Sequence, residues 1–396
     1  MTDDTQPLQP ATARVRSLDG LRGVAVSLVI LTHCFRPAAG GSVIATALHN
    51  LVVSMWLGVD LFFVLSGYLI TRILLSARDK PHYFRNFYMR RVARIWPAFY
   101  LVLAYVLLVA PLIDGLPWDR TQQALLPWFL LQVQNWAIVL HSPEFPWSWN
   151  VTHLWSLGVE EQFYFAWPLL ILLVPRTRLF VVCVGLFWLS LVVRLALVAN
   201  HAPWMSFYAM PLSHMDGLAA GAALAIFIEQ NGFANAIHRA RLILAERIGW
   251  IVLLLLLVVC GGIDGRPPWV MALAITAASL AFTGVVFRIH FSSLSPRVER
   301  ALNHAALVWL GKYSYGIYLI HFVLLADVMR VLGPRLPPFI ANHGNLQVLV
   351  IGSTVTALSL VWAWLMFRFV ESPALRWGAR YSSHPPPANQ AMAVSQ

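Results

Sequence analysis

The stretch "RVRSLDGLRGVAVSLVILTHCF", residues 14–35, decides the fold class. From Gly23 to Phe35 it is almost wholly apolar, as a membrane-crossing helix is. Yet Asp19 and Arg22 stand at its start and His33 near its far end. Arg22 and His33 are eleven residues apart. On a helix they return to within about 20° of one another after three turns, and lie about 16 Å apart along the axis. One face of this segment therefore carries a cation near one membrane surface and an imidazole toward the other. Ionisable groups in a bilayer are costly unless hydrated or partnered, so each marks a candidate functional position.

The rest of the chain fits this reading. Its 396 residues are 59% hydrophobic and 11% charged, against about 25% charged in soluble domains. This is the composition of an all-α polytopic membrane protein, one large bundle with no room for a sizeable soluble domain. The net charge of +11 is nearly all arginine, Lys80 and Lys312 being the only lysines. In a soluble chain that balance would raise nucleic-acid binding. Here it places arginines in cytoplasmic loops beside anionic lipid, so membrane lipids are expected partners and nucleic acid is not. The cysteines, Cys34, Cys183 and Cys260, lie in separate apolar segments without metal or disulfide spacing, and no metal site is expected. No cleavage signature follows the first apolar stretch, which reads as a retained span. The oligomeric state is not readable.

Apolar stretches fall at about 18–36, 50–75, 95–113, 121–140, 153–175, 179–199, 213–229, 248–263, 268–287, 305–332 and 346–369. The fourth is the weakest, holding Gln122, Gln123, Gln132, Gln134, Asn135 and Pro127. If it does not cross, 21 basic residues lie on the cytoplasmic side and six outside: Arg36, Arg120, Arg194, Arg266, Arg330 and Arg335. If it crosses, eleven of those cytoplasmic residues, from Arg176 onward, move outside. Basic loops stay inside, so about ten transmembrane helices are expected, both termini cytoplasmic, with a partly inserted outer segment near 121–140. Residues 1–16 read as a cytoplasmic N-terminal tail, 17–375 as the transmembrane domain and 376–396 as a disordered cytoplasmic tail.

Several spans carry polar residues on single stripes. His153, Ser156, Glu160 and Tyr164 share one face of "HLWSLGVEEQFYFAWP", residues 153–168, where Trp155 and Glu161 flank the stripe. "GVDLFFVLSGYLIT" holds Asp60 and Ser66, with glycines that permit close helix approach. "GKYSYGIYLIH" aligns Ser314, Tyr318 and His321, with Tyr315 alongside. "SHMDGLAAG" puts His214 and Asp216 near the outer surface, at the depth expected for His33. Together these predict an outward-open cavity containing acids and imidazoles. Opposite it, "YFRNFYMRRVARIWPAFY", residues 83–100, brings Arg90, Arg91 and Arg94 into the third span beside aromatic rings. The positive-inside rule accounts for basic residues at this mouth but not for their entry into the span. Guanidinium forks suit phosphates, and aromatic rings suit a purine.

"SLDGLRGVAVSLVILTHCF", with its arginine, ten-residue gap and histidine, resembles the opening motif of the acyltransferase-3 family of bacterial integral-membrane O-acyltransferases. "GVDLFFVLSGYLIT", "FYMRRVARIWPAFY", "HLWSLGVEEQFYFAWP", "SYGIYLIH" and "RFVESP" resemble later family blocks, in family order, so that the likeness runs from about residue 17 to 375. The resemblance implies transfer of an acyl group, usually acetyl, from cytoplasmic acyl-CoA to a hydroxyl of a carbohydrate or lipid-linked glycan, in the bacterial inner membrane. It implies His33 as the essential residue and a functional need for Arg90, Arg91 and Arg94. One departure stands at His214, where the family pattern more often has arginine.

These readings combine into one set of roles. His33 is the general base, with Glu160 as the first choice and Asp60 as the second for the carboxylate that orients it. Arg22, Arg90, Arg91 and Arg94 bind acyl-CoA, with acetyl-CoA foremost. Asp19, Trp155, Ser156, Glu161, Ser314, Tyr315, Tyr318, His321, His214 and Asp216 are candidates for substrate contact, and Tyr318 or Ser314 for donation to the oxyanion. Transfer through an acyl-histidine stays open. Two other functions also stay open: the same chemistry on a small-molecule or antibiotic acceptor, and a proton-coupled transporter, against which the lack of an inverted repeat weighs.

Overall fold

A computed structural model describes residues 16–38, 40, 42–114, 120–142, 145, 150–231, 236–263 and 267–381. The outer parts of both expected tails, residues 1–15 and 382–396, lie outside the described residues. The start of the second tail, through Ala379, belongs to a helix, Ser372–Ala379. The described residues form helices and no strands.

Ten long helices build the bundle: α1 (Arg16–Cys34), α2 (Gly58–Ala77), α3 (Tyr83–Leu108), α4 (Trp155–Leu173), α5 (Arg176–Ala199), α6 (Asp216–Asn231), α7 (Ala236–Val259), α8 (Pro268–His290), α9 (Ala305–Leu332) and α10 (Gly344–Met366). Eight helical runs among the described residues are long and apolar enough to cross a membrane, and they contain all of these except α4 and α6. α4 carries two glutamates, and α6 has 16 residues, a length of about 24 Å. The protein is an all-α polytopic membrane protein, as its composition requires.

The polar helices occupy the middle. α1 lies along α9 and α2, and α2 in turn packs on α6 and α4. α5 and α7 stand at the periphery. Past the arginines in their first halves, their exposed faces carry large apolar side chains, Val181, Trp188 and Val192 on α5 and Ile251, Leu254 and Val258 on α7, the surface that acyl chains solvate.

Small residues set the central spacing. A Cβ placed on Gly311 of α9 would lie 1.8 Å from the Asp19 carbonyl oxygen of α1, and one on Gly67 of α2 would lie 2.0 Å from the Leu218 carbonyl oxygen of α6. Only hydrogen fits there, so the backbones touch directly, as small residues allow in membrane bundles.

The weak fourth stretch is not one long helix. It forms two short helices, Arg120–Leu130 and Gln134–Leu140, broken at Gln132, whose φ is 56°. Their polar residues are spent inside the bundle. Gln134 donates to the Leu154 carbonyl at 2.7 Å, and Asn135 accepts from Gln162 at 2.7 Å. Both are fully buried, so the segment is inserted rather than laid on the surface.

The arginine asymmetry together with this broken segment makes a topological prediction. In a cysteine-free background, Ser142→Cys should react with an impermeant thiol reagent from outside the cell and Ser293→Cys only after the membrane is opened. Labelling of both from one side would contradict ten crossings.

Candidate functional site

Two cavities lie end to end inside the bundle. The first, about 270 Å³, is lined by Arg22 of α1, Arg91 and Arg94 of α3, Glu160 and Glu161 of α4, and Tyr315 of α9, above an apolar floor from α2. The second, about 290 Å³, is lined by His33, Trp56, His153, Trp155, Trp204 and Tyr208. Val59 and Tyr318 border both. The partition is therefore one residue thick.

The first cavity brings opposite charges together, with arginines in excess. Three guanidinium groups and two carboxylates share a space with a low-dielectric wall, where bare charges of one sign would repel strongly. Arg91 is braced over the Phe87 ring, its guanidinium carbon 6.0 Å from the centroid. Arg22 lies 3.9 Å from the buried Asp19 carboxylate one turn before it. Arg90 does not line the cavity. Its Nε donates to the Asn86 carbonyl at 2.9 Å. Ser66 and Tyr164 pair through their hydroxyls on the cavity wall. Tyr315 donates to the Ile95 carbonyl at 2.8 Å, and Ser314 donates back to Gly311 at 2.9 Å.

The partition is a closed hydroxyl pair. Tyr318 has one proton and gives it to the His153 carbonyl at 2.9 Å, while Ser156 stands 2.6 Å from the Tyr318 oxygen and donates to it. Neither proton is free for an oxyanion while this pair is closed.

The second cavity is aromatic. Trp155 packs against Tyr208 with centroids 4.5 Å apart, and Tyr208 packs on Trp56 at 5.3 Å. His33 meets the edge of Phe322 at 4.9 Å. Its Nδ1 lies 3.0 Å from Nε2 of His321, which is fully buried. His153 completes a group of three imidazoles, with its ring 5.2 Å from that of His321 and its Nε2 3.1 Å from the Leu319 carbonyl.

The carboxylate expected beside His33 is thus replaced by an imidazole. Glu160 lies seven residues past His153 along the chain, about 10 Å deeper, and so reaches the level of Arg22 instead. Asp60 is engaged elsewhere, its Oδ1 being 2.9 Å from His214 Nε2. His214 and Asp216 line neither cavity. Both are fully buried, and His214 Nδ1 donates to the Tyr208 carbonyl at 2.6 Å. Arg194, assigned by sequence to an outer loop, is inside the bundle. It pairs with Asp216 at 2.7 Å and also donates to Thr276, Ala272 and Ser213. An arginine inside a span costs less when its donors are answered, and all three nitrogens of this one have acceptors.

Sequence reasoning missed the ring wall of the second cavity: Trp56, Trp204, Tyr208 and Phe322. The available signal was thin: Trp204 and Tyr208 fall between the apolar stretches 179–199 and 213–229, while Trp56 and Phe322 lie within stretches. His153 was placed on a polar stripe but given no role. Among the described residues, no cluster of three or more His, Cys, Asp or Glu side chains could hold a metal ion.

The family described as an acyltransferase domain matches residues 15–368. The chain belongs to that family. It is 30% identical over 383 residues to a peptidoglycan O-acetyltransferase of Listeria monocytogenes, covering 92% of this chain and 56% of that protein. It is 30% identical over 393 residues to a putative peptidoglycan O-acetyltransferase of Bacillus subtilis, with 92% and 56% covered, and 25% identical over 381 residues to a putative O-acetyltransferase of Staphylococcus aureus, with 92% and 59% covered. The chain thus spans a little over half the length of these relatives. No solved structure matches it significantly.

The buried ion pair has a measurable consequence. Asp216→Ala leaves Arg194 charged and unpartnered, at a cost of about 3–5 kcal/mol. Its thermal transition in detergent should fall well below wild type, and the double variant Arg194→Met, Asp216→Leu should recover most of the loss. A single variant as stable as wild type would remove the pair from any structural role.

Proposed function

We propose that the protein transfers an acyl group, foremost acetyl, from cytoplasmic acyl-CoA to a hydroxyl of a carbohydrate-containing acceptor at the outer face of the bacterial inner membrane. The observation that carries this reading is the pair of cavities divided only at Val59 and Tyr318. A thioester donor has phosphates at one end and its reactive carbonyl at the other. Arg22, Arg91 and Arg94 suit the first, since guanidinium forks bind phosphate bidentately. The inner cavity's size suits the pantetheine arm and acyl group, with the nucleotide at the mouth. Arg90, turned to its own helix, serves that mouth.

The outer cavity suits a sugar. Tryptophan and tyrosine faces pack on apolar C–H faces of a pyranose while hydroxyls meet polar atoms at the rim. The relatives named for peptidoglycan favour a cell-envelope glycan. His33 takes the proton of the attacking hydroxyl as its oxygen closes on the acyl carbon. Glu160 and Glu161 offset part of the arginine charge when no phosphate is bound. Asp60 and His214 hold α2 against the segment before α6 and act on the site through packing.

Three variants test this. His33→Gln keeps polar capacity without the base and should lower acetyl transfer roughly 10²–10⁴-fold, with acetyl-CoA binding intact. Arg91→Ala and Arg94→Ala should weaken acetyl-CoA binding, and Lys should restore it only in part, being a point charge without the fork. Activity should fall in acid, because a protonated His33 has no lone pair to offer. Near-normal transfer by His33→Gln would overturn the assignment of the base, and unchanged acetyl-CoA affinity in both arginine variants would leave those residues as topology signals alone.

A further inference from the structure

We infer that His321 is a positioning residue that fixes the tautomer of His33, holding the proton on Nδ1 and leaving Nε2 bare to act as the base. This rests on the reading of His33 as the general base and adds to it which nitrogen works and what decides it.

Donors and acceptors alternate along this pair of rings. His321 Nδ1 lies 2.7 Å from the Tyr318 carbonyl oxygen. A carbonyl can only accept, so that nitrogen carries the proton. A neutral imidazole has one N–H, and its other nitrogen is an acceptor. His321 Nε2 is therefore a lone pair, and it faces His33 Nδ1 at 3.0 Å. His33 Nδ1 must then donate, which leaves His33 Nε2 unprotonated. The reverse arrangement would set a bare His321 Nδ1 against the carbonyl oxygen, two acceptors in contact at full burial, and unanswered buried polar atoms cost free energy.

Three features keep the relay in this order. His321 is fully buried, so no water competes for its nitrogens. His153 packs edge-on to it, at an interplanar angle of 76°, and is itself held by the Leu319 carbonyl. α1 and α9 pack along much of their lengths, with a backbone contact at Gly311, so the two rings are carried on adjoining helices. His33, half-buried, is the ring of the pair that lines the outer cavity.

The chemical step then balances without another group. The acceptor hydroxyl gives its proton to His33 Nε2 as its oxygen bonds to the acyl carbon. The carbon–sulfur bond breaks, and the departing thiolate takes the proton back from Nε2. During this cycle His33 Nδ1–H stays donated to His321, which plays the orienting part that a carboxylate plays in serine hydrolases.

The test reads the tautomer directly. In protein labelled with ¹⁵N-histidine, two-bond proton–nitrogen correlations distinguish a protonated from a bare ring nitrogen, and His33→Gln assigns the His33 signals by their loss. Wild type should show His33 protonated at Nδ1 and bare at Nε2. His321→Gln, whose amide offers both an acceptor and a donor, should keep that pattern and most of the activity. His321→Phe should show mixed tautomers, with kcat for acetyl transfer from acetyl-CoA lowered roughly 10- to 100-fold and KM for acetyl-CoA unchanged. A wild-type His33 protonated at Nε2, or an unaltered pattern in His321→Phe, would overturn the inference. Should His321→Phe fail to fold, the wild-type spectrum and the Gln variant decide it alone. The spectra need no turnover, so an error about His33 as base would appear separately, as an active His33→Gln enzyme.

Discussion

An imidazole inside a bilayer has to find its hydrogen bond within the protein, and His33 finds one because two helices touch backbone to backbone. The glycine at position 311 removes the side chain that would hold α9 away from α1. Further along the same two helices, His33 and His321 reach 3.0 Å. Tyr318, three residues before His321, stands at the boundary between the cavities. Both cavities and the imidazole pair thus border one helix–helix seam. A larger residue at the seam would alter all three together.

Charge is distributed along this seam by depth. At the inner level, arginines and glutamates neutralise one another around a space that phosphates can enter. At the outer level, Arg36 stands at the exposed rim and the ionisable side chains further in include imidazoles, which can be neutral without leaving a buried ion. Between and behind them, Asp60 with His214 and Asp216 with Arg194 are fully buried pairs. Paired charges of this kind add little net stability but are costly to break, so they fix how α2, α5, α6 and α8 meet and keep the central helices in register.

Much of this was legible in the sequence. Composition gave a membrane bundle, and arginine asymmetry set aside the fourth apolar stretch, which is two short helices broken at Gln132. Helical arithmetic put Arg22 and His33 on one face, and they line two successive cavities. The same arithmetic, applied from His153 to Glu160, would have matched Glu160 to Arg22 rather than to His33; chemical habit pairing imidazole with carboxylate prevailed instead. Which buried polar residues pair across helices was not legible. His214 with Asp60 and Arg194 with Asp216 join residues 154 and 22 positions apart, and nothing in either segment names its partner. The aromatic wall was also hidden, since it is assembled from single rings on α4, on α9 and on segments between the long helices.

The central claim is that donor and acceptor enter from opposite faces and meet at His33. It is tested most directly in proteoliposomes with the protein in one orientation, radiolabelled acetyl-CoA sealed on the arginine-mouth side and chitotetraose supplied only on the other. The account predicts labelled glycan outside, with acetyl-CoA remaining within and no label transferred by His33→Gln vesicles. Labelled glycan formed only when both compounds share one side would contradict it.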